Sequence, residues 1–102
     1  MSYNIDTTRG SAFDQHTISD TALALSDTDL TDAQLAAAAR AIVSVRSGAV
    51  NIRYDGTSPT TSVGIKFLTG EKFQIVGNLD VNTLEMISDS TTDAVVDIAL
   101  EF

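Results

Sequence analysis

The 102-residue sequence has no cysteine, no tryptophan, one proline, one histidine and only six lysines and arginines. Each shortage excludes a class of chemistry. Without cysteine there are no disulfides and no thiolate-ligated metal sites. The single histidine, His16, cannot supply the imidazoles of an ordinary zinc site. Any Ser–His–Asp arrangement would have to draw on that one residue. Six cations are too few for a phosphate-binding surface, so nucleic acid is not an expected partner. No apolar run approaches ~18 residues, so no segment reads as a membrane span. The leading "MSYNIDTTRGSAFD" has neither the basic nor the apolar region of a secretory signal, and a cytoplasmic chain is the expectation.

What remains is a chain that is 43% hydrophobic and 6% aromatic. That suits one folded domain whose core rests on Val, Ile, Leu and Ala. Such a core is modest, and a homo-oligomer would reinforce it. The formal charge is −8 and is unevenly spread. Residues 1–32 hold Asp6, Asp14, Asp20, Asp27, Asp29 and Asp32 against Arg9, a net −5, and the remaining seventy hold −3. An acidic leading segment is suited to a basic partner surface.

Residues 1–19 show no sustained period and are rich in Ser, Thr and Asp, which predicts an extended N-terminal arm before a domain spanning 20–102. "TALALS" (21–26) alternates as a strand would. Thr31 and Gln34 form the ends of a capping box, and the alanines after them predict a short helix near 32–38. From Arg40 the pattern changes to strict alternation of β-branched residues, which predicts a strand.

Three stretches sort their side chains cleanly when read as hairpins. With Ser47-Gly48 as a turn, Val45, Val43 and Ala41 oppose Val50, Ile52 and Tyr54, while polar residues share the other side. With Gly70 at a second turn, Phe67 opposes Phe73 and Ile65 opposes Ile75. "TLEMIS" and "AVVDIALEF" flank "DSTTD" as a third pair, with Ala94, Val96, Ile98, Leu100 and Phe102 on one face. Short strands at this spacing predict an all-β domain, a small antiparallel β-sandwich or jelly-roll-like fold.

Motifs of catalysis are scarce. "NIRYDGTSPTTSVGIKF" (51–67) invites comparison with a phosphate-binding loop, but Gly56 and Gly64 are separated by seven residues and Lys66 does not directly follow Gly64. The stretch reads instead as a strand, a turn pinned by Pro59, and a second strand. "SDTDLTD" (26–32) offers three carboxylates without EF-hand spacing, and reads as a loop ending in a helix cap. Asp89 and Asp93 bracket a turn and read as turn residues. The chain is expected to be non-enzymatic and to hold no cofactor or metal.

Arg53, Tyr54, Asp55, Gly56, Thr57, Pro59, Thr60, Val63 and Gly64 follow the pattern R-aromatic-D-G-T-x-P-T-x-x-V-G, and Asn78-Leu79 follows it as a short "NL" step. With the strand pattern around them, these residues make the chain over 40–102 resemble a set of small tailed-bacteriophage virion proteins. The resemblance implies a structural role in a phage particle: capsid decoration or cement, a head fibre, or a tail or head–tail part. It implies a chain assembled in the host cytoplasm and located in the virion. Its partners would be phage coat protein or other virion proteins, with no nucleic acid and no membrane contact. Candidate interface residues are Tyr3, Ile5, Phe13 and Ile18 in the arm and Ser58 and Thr60 in the central loop. The alternative is a tail or head-fibre module that binds a host surface or glycan.

Overall fold

The computed structural model describes residues 10–89 and 92–102. In chain order these form β1 (Ser11–Ile18), β2 (Leu23–Ala24), a 3-10 turn (Leu25–Asp27), α1 (Asp32–Ala37), β3 (Arg40–Ser47), β4 (Ala49–Arg53), β5 (Ile65–Leu68), β6 (Lys72–Val76), α2 (Asn78–Thr83), β7 (Glu85–Ser88) and β8 (Ala94–Glu101). The strands make two four-stranded sheets, ordered β1-β8-β3-β6 and β2-β7-β4-β5, with every pairing antiparallel. The pairs β1–β8, β2–β7, β3–β6 and β4–β5 nest inside one another, as in a single long ribbon wrapped into a sandwich. This is the strand order of a jelly roll, in keeping with the all-β expectation.

The core lies between the two sheets. Ala94, Val96, Ile98 and Leu100 of β8 are fully buried, as are Ala41 and Val43 of β3. They face Val50, Ile52 and Met86 of the other sheet, which are equally enclosed. One flank is closed by the rings of Phe67 and Phe73, stacked with centroids 4.3 Å apart. An aromatic pair of this kind adds about 0.5–1.5 kcal/mol beyond its buried area.

All three expected hairpins are instead arches that carry the chain from one sheet to the other. β3 pairs with β6 and β8, not with β4; β5 pairs with β4, not with β6; β7 pairs with β2 and β4, not with β8. At the first of these arches the reason lies in backbone geometry. A two-residue hairpin turn requires positive φ at both central residues, or glycine at the first. Ser47-Gly48 has its glycine second, and among the described residues no non-glycine residue has positive φ. Gly48 alone turns the chain, at φ +75°. Most of the apolar positions still face inward: Phe67 and Phe73, opposed in the hairpin reading, stack across the core, and Val43, Val45, Val50 and Ile52 are enclosed, while Tyr54 and Ile65 are exposed.

The three arches meet at one end of the sandwich. The Thr69 hydroxyl donates to the Gly48 carbonyl at 2.7 Å, and the Asp89 N–H donates to the Ala49 carbonyl at 3.2 Å. The helices occupy the other end. α1 is capped as expected, with Gln34 N–H donating to Thr31 Oγ1 at 3.1 Å and Thr31 N–H to Gln34 Oε1 at 2.9 Å. α2 was not expected from the sequence. Its Asn78 amide reaches the carbonyls of Leu35 and Ala38 at 3.0 and 2.7 Å, and Asn82 also donates to Leu35. The "NL" step therefore supplies donors to the open C-terminal end of α1.

Two further expectations are corrected. The arm does not extend to residue 19, because residues 11–18 form β1 and pair along their whole length with β8. Their apolar face was hidden by polar residues at two inward positions. Asp14 is buried, accepts the Asp29 N–H at 3.3 Å and lies 3.3 Å from His16 Nδ1. The strand expected over 21–26 shrinks to Leu23–Ala24, because Asp27 accepts the Ala24 N–H at 3.0 Å and winds the chain into the 3-10 turn.

Two measurements test this arrangement. Ser44→Cys with Lys72→Cys joins register partners on β3 and β6 and should close a disulfide. Ser44→Cys with Asn51→Cys, opposed only in a hairpin, should stay reduced; mass spectrometry under mild oxidation distinguishes them. Gly48→Ala combines positive φ with a Cβ only 2.9 Å from the Ala94 Cα. Strain and overpacking together should cost about 2–4 kcal/mol. At Gly70 the added Cβ meets nothing within 4 Å, so Gly70→Ala carries strain alone. That strain is about 1 kcal/mol, or a Tm loss of roughly 4–8 °C. Thermal melts should rank the two in that order.

Candidate functional site

β4 to β5 is the one connection that stays within a sheet, and its loop (54–64) is the Ser/Thr/Pro stretch of the sequence. The loop folds back over the outer face of its own sheet. The buried Asn51 side chain donates to the Thr60 carbonyl at 3.0 Å, Ser58 Oγ donates to Glu85 Oε1 at 2.8 Å, and Pro59 is buried. At Gly64 the backbone comes so close to β4 that a Cβ would lie 3.0 Å from the Ile52 carbonyl oxygen. Within the loop, Thr60 Oγ1 accepts the Val63 N–H at 2.9 Å.

An open cleft of about 530 Å³ lies where the loop leaves and rejoins the sheet, lined by residues 52–55 and 63–65. Its walls are mainly Tyr54, Val63 and Ile65, with the Arg53–Asp55 pair at the rim. Arg53 holds Asp55 bidentately, through Nε at 3.1 Å and Nη2 at 2.5 Å. The hydrogen bond to Arg53 depresses the Asp55 pKa, helped by the Thr57 N–H, and the Asp55 hydrogen bond raises that of Arg53. Both groups therefore stay charged through neutral pH. The pair is a fixed couple of charges suited to binding, not a titrating acid and base.

The cleft opens onto a larger feature. The described residues hold seven large apolar side chains that are substantially exposed, and six of them lie between Tyr54 and Leu79. Tyr54, Val63, Ile65, Leu68, Val76 and Leu79 are 41–75% exposed. Ile65 and Leu68 lie on β5, Tyr54 and Val63 in the loop before it, Val76 on β6 and Leu79 at the start of α2, and β5 and β6 are the outermost strands of their sheets. Single exposed apolar residues are ordinary, but a concentrated set marks a contact surface.

The six candidate interface residues are not gathered into one surface. Tyr3 and Ile5 lie outside the described residues. Phe13 is exposed on the outer face of β1, while Ser58 and Thr60 are exposed over the other sheet. Ile18 is corrected outright: it faces inward at the end of β1 and is fully enclosed. Tyr54, expected on the apolar face of a hairpin, is exposed at the cleft. The apolar flank was missed although the sequence marks it. Leu68 and Val76 fall out of phase with the alternation Ile65/Phe67 and Phe73/Ile75, and that phase break was the available signal.

Among the described residues, no group of three or more His, Cys, Asp or Glu side chains could hold a metal, and no helix is long and apolar enough to cross a membrane. Comparison with protein-family models, with curated proteins and with solved structures gives no significant match.

Asn51→Ala would leave the Thr60 carbonyl only the Val63 N–H at 3.3 Å and should cost about 1 kcal/mol. It should also speed amide exchange across 54–64. Ser58→Ala removes an exposed bond and should cost under ~0.5 kcal/mol. Equal exchange rates in the two variants would show that Asn51 does not hold the loop.

Proposed function

We propose that the protein is a non-enzymatic structural component of a tailed-bacteriophage virion, most simply a capsid decoration or cement protein that binds the coat shell as an oligomer. The observation that carries this reading is the exposed apolar flank along β5 and β6, on a domain whose core is complete without it. A surface of that kind serves association. The resemblance of residues 40–102 to small phage virion proteins directs the reading toward a particle.

Two surfaces divide the work. The segment 10–32 has no lysine or arginine and exposes Asp20, Asp27, Asp29 and Asp32, and Phe13 stands exposed beside it. This acidic side suits basic patches of a coat protein, while the apolar flank suits contacts within the decoration layer. No nucleic acid or membrane takes part.

A second reading, a tail or head-fibre module that binds a host glycan, is favoured by the exposed ring of Tyr54 beside the charged Arg53–Asp55 pair. An aromatic face flanked by fixed polar groups is suited to a sugar ring. Mass spectrometry and cryo-electron microscopy of purified virions, with a glycan array run on the free protein, separate the two. The first reading expects many copies on the capsid shell and a blank array. Absence of the protein from the particle overturns both.

A further inference from the structure

We infer that the β5/β6 flank is a self-complementary interface, the same flank meeting itself in a second copy of this chain to give a two-fold dimer. This gives the oligomer of the proposed function its contact surface.

Charge selects the occupant. Residues 53–79 contain Arg53, Lys66 and Lys72 against Asp55 and Glu71, a net +1, so the rest of the chain carries −9. Two copies meeting through any acidic face would bring several like charges together; at this flank only the residual +1 of each copy meets. Its charges are also largely tied down. Arg53 is held by Asp55, and Lys66 Nζ lies 2.6 Å from Asp89. Glu71 accepts the Leu68 N–H at 2.7 Å. A lysine on an edge strand ordinarily guards that edge against another copy. On β5 Asp89 holds that lysine, Lys66, and the exposed Lys72 at the start of β6 is the remaining edge charge.

The geometry agrees. Among the described residues β5 pairs only with β4 and β6 only with β3, so both outer edges are uncovered. The opposite flank is different, for there the 28–31 stretch runs beside β1, joined through the Asp29 N–H to Asp14. An apolar flank cannot bury itself well against that carboxylate-rich edge. A head-to-tail chain of copies is thereby disfavoured, and a closed two-fold contact favoured. Ile65 and Leu68 would lie near its centre, with Val76 and Leu79 extending it along β6 and α2.

Light scattering on the purified chain across a concentration series tests this without any particle. The expected mass is twice the 10.8 kDa of one chain. Ile65→Lys with Leu68→Lys should weaken the dimer by about a hundredfold or more, because two ammonium groups would be desolvated without partners. Both positions are exposed, so circular dichroism should be unchanged, and Tm should lose only its dependence on protein concentration. Asp20→Lys with Asp32→Lys, on the acidic side, should leave the mass at two chains. Added salt should strengthen association by screening the residual repulsion between two chains of charge −8. A wild-type monomer, a mass other than two chains, or a dimer that survives the Ile65/Leu68 lysines overturns the inference. So does loss of the dimer on Tyr3→Asp with Ile5→Asp alone, which would make the N-terminal segment the occupant. A dimer that is absent from virions would refute the proposed function and leave this interface standing.

Discussion

The structure depends on the pairing of its first strand with its last. β8 lies between β1 and β3, and its four inward side chains, Ala94, Val96, Ile98 and Leu100, are fully enclosed. Removing that strand would leave β1 without any sheet partner and divide its sheet in two. The outer face repeats the dependence in polar form. Asp97 of β8 accepts from Gln15 of β1 and from Arg46 of β3, both at 2.9 Å, while Arg40 of β3 pairs with Glu101. Hydrogen bonds from Arg46 and then Gln15 hold Asp97 below the usual aspartate range. The exposed bonds to Asp97 are each worth little and the Arg40–Glu101 pair is partly buried, but together they fix the register of three strands.

The nested pairing also determines where function can reside. In a wrapped ribbon only two flanks of the sandwich and one tip are free of pairing obligations. The tip is the 54–64 loop, which spends its polar groups on its own sheet through Asn51, Ser58 and Thr60. One flank, along β1 and β2, is acidic and partly covered. The other, along β5 and β6, is apolar and near neutral. A single small domain thus presents two chemically distinct sides, which suits a component that must hold unlike neighbours at once.

The fold class was legible in the sequence and the connectivity was not. Alternation in 40–55, 63–77 and 83–102 marked most of the side chains that face inward, with Tyr54 and Ile65 the exposed exceptions. Alternation reports a face, however, and not the strand across from it. Val45 beside Val50 satisfies a hairpin and an arch equally well. Only the order of Ser47 and Gly48 favoured the arch, through the φ values that primed turns require. Local polar chemistry was read well where both partners lie close, as at Thr31 and Gln34. It was unreadable where the partner is distant, as for Asn78 on the end of α1, or Asp14 and His16 on an inward face. The apolar flank fell in between, since residues that break phase at strand ends also occur at ordinary turns.

The β1–β8 pairing has a consequence in time as well as space. Gln15 and Asp97 bond across 82 positions of sequence, so β1 has no lasting partner until β8 has been made. At about 5–20 residues per second, synthesis exposes β1 for several seconds or more before β8 arrives. Folding must then close this longest loop, a slow step for a topology built on distant contacts. The sandwich can therefore be completed only after β8 has been made. Any assembly that requires the finished domain is held back until β8 is in place, so this strand acts as a built-in delay between synthesis and association.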